Sequence, residues 1–249
     1  MDKLNAYLAS KGAKLVTSAY RWINDSPYLN IYDTPSELDY TDVRPNPPNW
    51  VQFDNLKRID VDIRFEIPKE LRDRPGKLIY FSMGSMGGAD VDLMKRFIGI
   101  LGESEHRFIV SKGPLHDRYE LSDNMWGQQS VPQLAVQSAV DLVITHGGNN
   151  TICESFFFGK PLIVMPLFTA QYDNAQRIHE KGFGIRVFPY RFSKEELLNG
   201  IESLLSDKEL NEKLKNISKR IQTENSIAKL PKLIGDLVYG DNNNNLIKI

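Results

Sequence analysis

The chain has 249 residues, 41% hydrophobic and 25% charged, with a formal net charge of −1. Those proportions describe a globular chain able to bury a sizeable core, and the near-neutral balance gives no reason to expect nucleic acid or an anionic membrane as the main partner. One cysteine, Cys153, excludes an intrachain disulfide and suits a reducing compartment.

In chain order, MDKLNAYLASKG is polar and lacks a signal-peptide pattern, and no apolar run reaches the length of a membrane span. A cytoplasmic location is therefore expected. The stretch Ser26 to Trp50 holds Pro27, Pro35, Pro45, Pro47 and Pro48, which forbids a long regular element. From Lys77 the pattern becomes regular. KLIYFS (Lys77 to Ser82) reads as a buried strand followed by a glycine turn. Ala89 to Gly102 is an amphipathic helix with Val91, Met94, Phe97, Ile98 and Leu101 on one face. HRFIVS (His106 to Ser111) is a strand, VPQLAVQSA (Val131 to Ala139) a short helix, and DLVIT (Asp141 to Thr145) a second buried strand.

HGGNN follows DLVIT directly. Gly147 and Gly148 let the backbone turn tightly and approach a ligand, and Asn149 and Asn150 are candidate caps for the helix TICESFFFG, which ends on Gly159. PLIVMP (Pro161 to Pro166) is the next strand, QYDNAQRIHEKG (Gln171 to Gly182) a helix and FGIRV (Phe183 to Val187) the last strand. Gln171, Asp173 and Asn174 read as caps preceding that helix or as ligands. Ser193 with Glu196 forms a capping box. Helices follow over about Lys208 to Thr223 and Ser226 to Gly240, and the tail DNNNNLIKI (241–249) reads as disordered. Alternating strands and helices predict a Rossmann-like parallel sheet with helices on both faces and ligands at the strand carboxyl ends.

A helix that starts there points free N–H groups and a positive dipole end at its ligand, which suits phosphate. Asn150, Thr151 and Glu154 share one helix face. Phosphate at the helix start leaves Glu154 one turn deeper, where a carboxylate accepts bonds from ribose hydroxyls. His146 opens the turn and is assigned to the diphosphate or to ordering the turn. Either Ser82 or Ser85 flanking Gly84 is within reach of a phosphate. Phe156, Phe157, Phe158 and Cys153 read as packing residues, and His106, His116 and His179 as surface or packing residues. No His/Cys group has metal-ligand spacing.

These residues resemble the donor signature of the UDP-glycosyltransferases of the GT-B fold, glycosyltransferase family 1. That family carries W-x-P-Q, H-x-G-x-N-S/T-x-x-E, G-x-P and P-x-x-x-D-Q in this order. The chain has Val131-Pro132-Gln133, then His146, Gly148, Asn150, Thr151 and Glu154, then Gly159-Lys160-Pro161, Pro166 and Ala170-Gln171. IYFSMGSMG (Ile79 to Gly87) is similar to the first strand and turn of the donor domain, and the likeness runs from about Asn24 to about Tyr239.

The resemblance implies the C-terminal, UDP-sugar-binding half of such an enzyme over residues 74–240. Residues 1–73 are then the residual tail of an acceptor-binding domain plus linker, through a partial gene or a natural truncation. It implies transfer of a hexosyl group, glucose among the candidates, from UDP to a hydroxyl of a small lipophilic acceptor. No cofactor or metal is expected, since helix dipole and polar side chains meet the leaving diphosphate. The UDP-sugar site comprises Ser85, Gln133, His146, Gly148, Asn150, Thr151, Glu154 and Gln171, with no catalytic residue in this chain. Ala170 stands where the family has an acid that binds sugar hydroxyls. Ser130 stands where many members stack an aromatic on uracil, and Trp126 is the nearest substitute. The alternatives are a non-catalytic UDP-sugar- or partner-binding member and, from another class, a sugar-nucleotide epimerase.

Overall fold

A computed structural model describes residues 2–16, 25–56 and 65–239. The disordered tail expected over 241–249 lies outside the described residues. Six parallel strands form one sheet: β3 (Leu78–Ser82), β4 (Arg107–Ser111), β5 (Met125–Gln128), β6 (Leu142–Thr145), β7 (Leu162–Val164) and β8 (Gly184–Arg186). Their spatial order is β5-β4-β3-β6-β7-β8. Numbered within this sheet the order is 3-2-1-4-5-6, the doubly wound arrangement, whose crevice opens where the order reverses, between β3 and β6. The register pairs Ser82 with Thr145 at that point, so the turns after both strands leave side by side.

The central strands are mostly apolar because both sheet faces are covered there. Every residue of β3, β6 and β7 is buried. Single-turn helices α2 (Lys69–Arg72) and α3 (Gly84–Gly87) flank β3, followed by α4 (Val91–Leu101), α5 (Gln133–Ala139), α6 (Asn149–Phe157), α7 (Ala170–Glu180), α8 (Lys194–Ser206), α9 (Lys208–Glu224) and α10 (Leu230–Tyr239). Side chains start three of them as local chemistry dictates: Asp90 accepts from Leu93 N, Ser193 from Glu196 N and Asp207 from Leu210 N, each at about 3.0 Å.

The N-terminal segment carries α1 (Asp2–Ser10) and a parallel pair, β1 (Asn30–Asp33) with β2 (Trp50–Phe53). As the prolines require, no longer regular element occurs over Ser26 to Trp50. Arg220 of α9 ties this segment down, with bonds of 2.9–3.1 Å to Glu37, Asp54 and Ser36. Burial alone would raise the Asp54 carboxyl, but Arg220 and the Ser36 N–H hold it below its ordinary value.

Trp126, the nearest substitute for an aromatic at Ser130, lies on β5, a strand without apolar alternation, with its ring 5.9 Å from Phe65 and packed on the core. One local expectation is corrected. Gln171, Asp173 and Asn174 do not precede a helix but lie inside α7, which begins at Ala170. The phenylalanine triplet packs as expected: Phe156 is fully buried, Phe157 is half-buried against the core, and the half-buried ring of Phe158 lies 5.1 Å from that of Phe157.

Candidate functional site

The chain leaves β6 through His146, Gly147 and Gly148 and enters α6 at Asn149. Gly147 takes φ +88°, and a Cβ there would stand 2.6 Å from Val164. Glycine therefore meets both a backbone and a space requirement. Two bonds hold this turn, one to the end of β6 and one from α7. Gly147 N donates to Thr145 Oγ1 at 3.3 Å, and Asn174 Nδ2 of α7 donates to Gly147 O at 3.0 Å.

Gly148 is the N-cap of α6 and no side chain caps that helix. The expectation that Asn149 or Asn150 does so is corrected. Asn149 instead donates to Asp33 O (2.8 Å) and Asp33 Oδ1 (3.0 Å). Its amide fastens the N-terminal segment to the mouth of the crevice. Asn150 is exposed, and the first N–H groups of α6 are left for a ligand.

His146 fills the notch between the two turns. A Cβ on Gly84 would lie 2.8 Å from its Cε1 and Nε2, and one on Gly148 would lie 2.9 Å from Nε2. Burial lowers the imidazole's pKa below its ordinary value, and a hydrogen bond with the Ser82 backbone partly offsets this. Burial therefore favours the neutral ring over the imidazolium. Ser85 lies exposed on α3, on the opposite lip. Ser82 is buried and accepts from Gly84 N at 3.3 Å, ordering its own turn.

One turn below the start of α6, Glu154 is 3% exposed. Its Oε2 accepts from Gln133 Nε2 and, at 2.8 Å, from Gln137 Nε2. Gln133 Nε2 also reaches Thr151 Oγ1 at 3.3 Å, while Tyr80 OH donates to Gln133 Oε1 at 3.0 Å. Three of the expected residues, Gln133, Thr151 and Glu154, thus form one hydrogen-bonded set. Neither Tyr80 nor Gln137 was singled out in the sequence; a glutamine on the buried face of α5 was the available signal.

Gln171 sits on the far wall. Its Oε1 accepts from Leu167 N (2.9 Å) and Phe168 N (3.2 Å), which shapes the 165–171 loop, and its Nε2 donates no hydrogen bond among the described residues. Ala170 is exposed at the first position of α7. Thr169, just before it, takes φ +50°, an uncommon conformation for a β-branched residue. A hollow of about 400 Å³ beside this helix start is lined by Tyr172, Phe188, Pro189, Tyr190 and Arg191. Of its lining residues only Tyr172 belongs to α7, and none belongs to α6.

Among the described residues there is no group of three His, Cys, Asp or Glu side chains able to hold a metal ion, and no helix is long and apolar enough to cross a membrane.

Comparison with known proteins gives one consistent picture. The family model described as UDP-glucoronosyl and UDP-glucosyl transferase matches residues 78–230. The NDP-glycosyltransferase YjiC of Bacillus subtilis (strain 168) is 33% identical over 153 residues, covering 60% of this chain and 38% of that protein. A sterol 3-beta-glucosyltransferase of Debaryomyces hansenii is 27% identical over 236 residues, covering 85% of this chain and 14% of its own length. The chain therefore spans well under half the length of these curated relatives. Among solved structures, the glycotransferase of kitacinnamycin aligns over 95% of this chain and 61% of its own, with a TM-score of 0.76 at 20% identity, a likeness of fold.

Proposed function

Because the chain belongs to the UDP-glucoronosyl and UDP-glucosyl transferase family, we propose that it binds the donor UDP-sugar for transfer of a hexosyl group to a hydroxyl of a small lipophilic acceptor. The observation that carries this reading is the helix α6 opening at the β3–β6 crevice, with a buried carboxylate, Glu154, one turn below its start. Free N–H groups and the dipole of α6 meet the diphosphate, helped by His146, Asn150 and Thr151, with Ser85 from the other lip. Glu154 accepts from the ribose hydroxyls. Gln133, whose amide is shared between Thr151 and Glu154, lines the uracil and ribose side. Gln171 turns its amide nitrogen to the sugar.

In the reaction, these groups stabilise charge that grows on the diphosphate as the bond to the sugar breaks. The acceptor hydroxyl adds to the anomeric carbon from the opposite face with inversion, and its proton passes to a base outside this set. The neutral imidazole of His146 donates a hydrogen bond and takes no proton. A lipophilic acceptor is in keeping with the sterol named for one relative.

Calorimetric titration with UDP tests the reading. Glu154→Ala is expected to weaken UDP by about 1.5–3 kcal/mol, the range for a hydrogen bond to a charged group. Equal affinity for both proteins removes Glu154 from the nucleotide site.

A further inference from the structure

Gln137 touches Glu154 but has been given no role so far, and it is fully buried. A primary amide in a core is costly unless its groups are paired, and an apolar side chain of the same length would pack there without that requirement. Each end of the amide has a partner. Nε2 donates to Glu154 Oε2 at 2.8 Å, and Oε1 accepts from Ser155 Oγ at 2.9 Å. Ser155 is itself fully buried, with Oγ 2.7 Å from Thr151 O, so the anchor is tied to the backbone of α6. On the other side Gln133 reaches the same carboxylate oxygen, but it is half-buried and divides its amide between Glu154 and Thr151. Of the two donors on Oε2, Gln137 is the one that a ligand in the crevice cannot reach or displace.

We propose that Gln137 is a positioning residue: it fixes the plane of the Glu154 carboxylate and so sets how strongly the site distinguishes ribose from 2′-deoxyribose in the donor nucleotide. This rests on the reading of Glu154 as the ribose ligand. A site built to hydrogen-bond a hydroxyl rejects the analogue that lacks it, and that rejection depends on an acceptor held in place. Without Gln137 the carboxylate loses its buried donor and keeps the shared amide of Gln133 on Oε2. Its plane is then held less firmly, and the penalty for a missing hydroxyl falls.

The test is calorimetric affinity for UDP and for 2′-deoxy-UDP, with thermal melting as the check on folding. Wild type should prefer UDP by about tenfold or more. Gln137→Met, close in length and without hydrogen-bonding groups, should cut that preference to below about threefold. Ser155→Ala, which removes the donor to Gln137 Oε1 together with the bond to Thr151 O, should lower it part of the way. In a Glu154→Ala background Gln137→Met should change the ratio no further. A folded Gln137→Met protein that keeps the wild-type preference overturns the proposal. Should that variant not fold, an undiminished preference in Ser155→Ala does the same. Absence of any preference in wild type removes the ribose role of Glu154 and this proposal with it. A wild-type preference that survives both substitutions sinks this proposal alone.

Discussion

The imidazole of His146 lies against the bare Cα of Gly84, so close that a methyl group there would stand 2.8 Å from the ring. One residue follows β3 and the other follows β6. Their contact closes the floor of the crevice at the point where the strand order reverses. Gly84 also takes φ +67°. Alanine at this position has both a strained backbone and a clash. Gly84→Ala should destabilise the fold by at least about 1 kcal/mol and displace His146, so UDP binding should weaken as well. Chemical denaturation and calorimetry measure the two effects; an unchanged midpoint would show that the ring moves aside freely.

His146 itself should titrate below the usual histidine range, because burial disfavours its charged form. The sign follows from linkage. Between the folded-state pKa and about 6.5, the unfolded chain binds more protons than the native one, so stability rises with pH there. The contribution is complete above about pH 6.5 and is lost as pH falls toward the folded value. An NMR titration of the ring protons checks this. A midpoint at or above the ordinary value is incompatible with a neutral His146 at the diphosphate.

Arg220→Ala should cost on the order of 3 kcal/mol, since it leaves Asp54 buried with its main partner gone. In wild type the Asp54 carboxyl is held low. Its contribution is therefore present above about pH 4 and disappears as pH falls through the folded-state value. Acid unfolding of wild type and variant should converge below that range. Parallel curves down to the most acidic point would show that the ion pair is not the cause.

Ala170→Asp should tighten a UDP-hexose by roughly tenfold or more while leaving UDP nearly unchanged, because a carboxylate there accepts bonds from sugar hydroxyls that alanine cannot. The position is exposed and opens α7, so the same acid should also stabilise the fold by about 0.3–1 kcal/mol through the helix dipole. Affinity ratios separate the two effects. A shift shared equally by both ligands, or by neither, means that this residue does not face the sugar. Chelation of divalent metal should leave UDP affinity unchanged, and a loss on chelation would reassign the diphosphate charge to a bound ion.

Much of this was legible in the sequence where the determinants are local. The apolar runs of β3, β6 and β7 mark strands covered on both faces, and the cap Ser193 bonds within its own turn. β5 was missed because Met-Trp-Gly-Gln has no alternation. Its Gly127 is set by a neighbour, since a Cβ there would lie 2.3 Å from Val110 O. Asn149 looked like a cap for a similar reason: its true partner, Asp33, is 116 residues away. Gln137 went unnoticed because its meaning lies in Glu154 and Ser155 across the α5–α6 contact.

The bond between Asn149 and Asp33 bears on where this chain can be divided. Topology alone would place the cut near residue 74, ahead of the doubly wound sheet. An excised unit of that kind loses Asp33, Glu37 and Asp54 together. It leaves Asn149 bare at the crevice mouth and Arg220 with Glu224 as its remaining acid. The smallest piece that keeps an intact crevice therefore begins ahead of β1, although most of its core begins at β3.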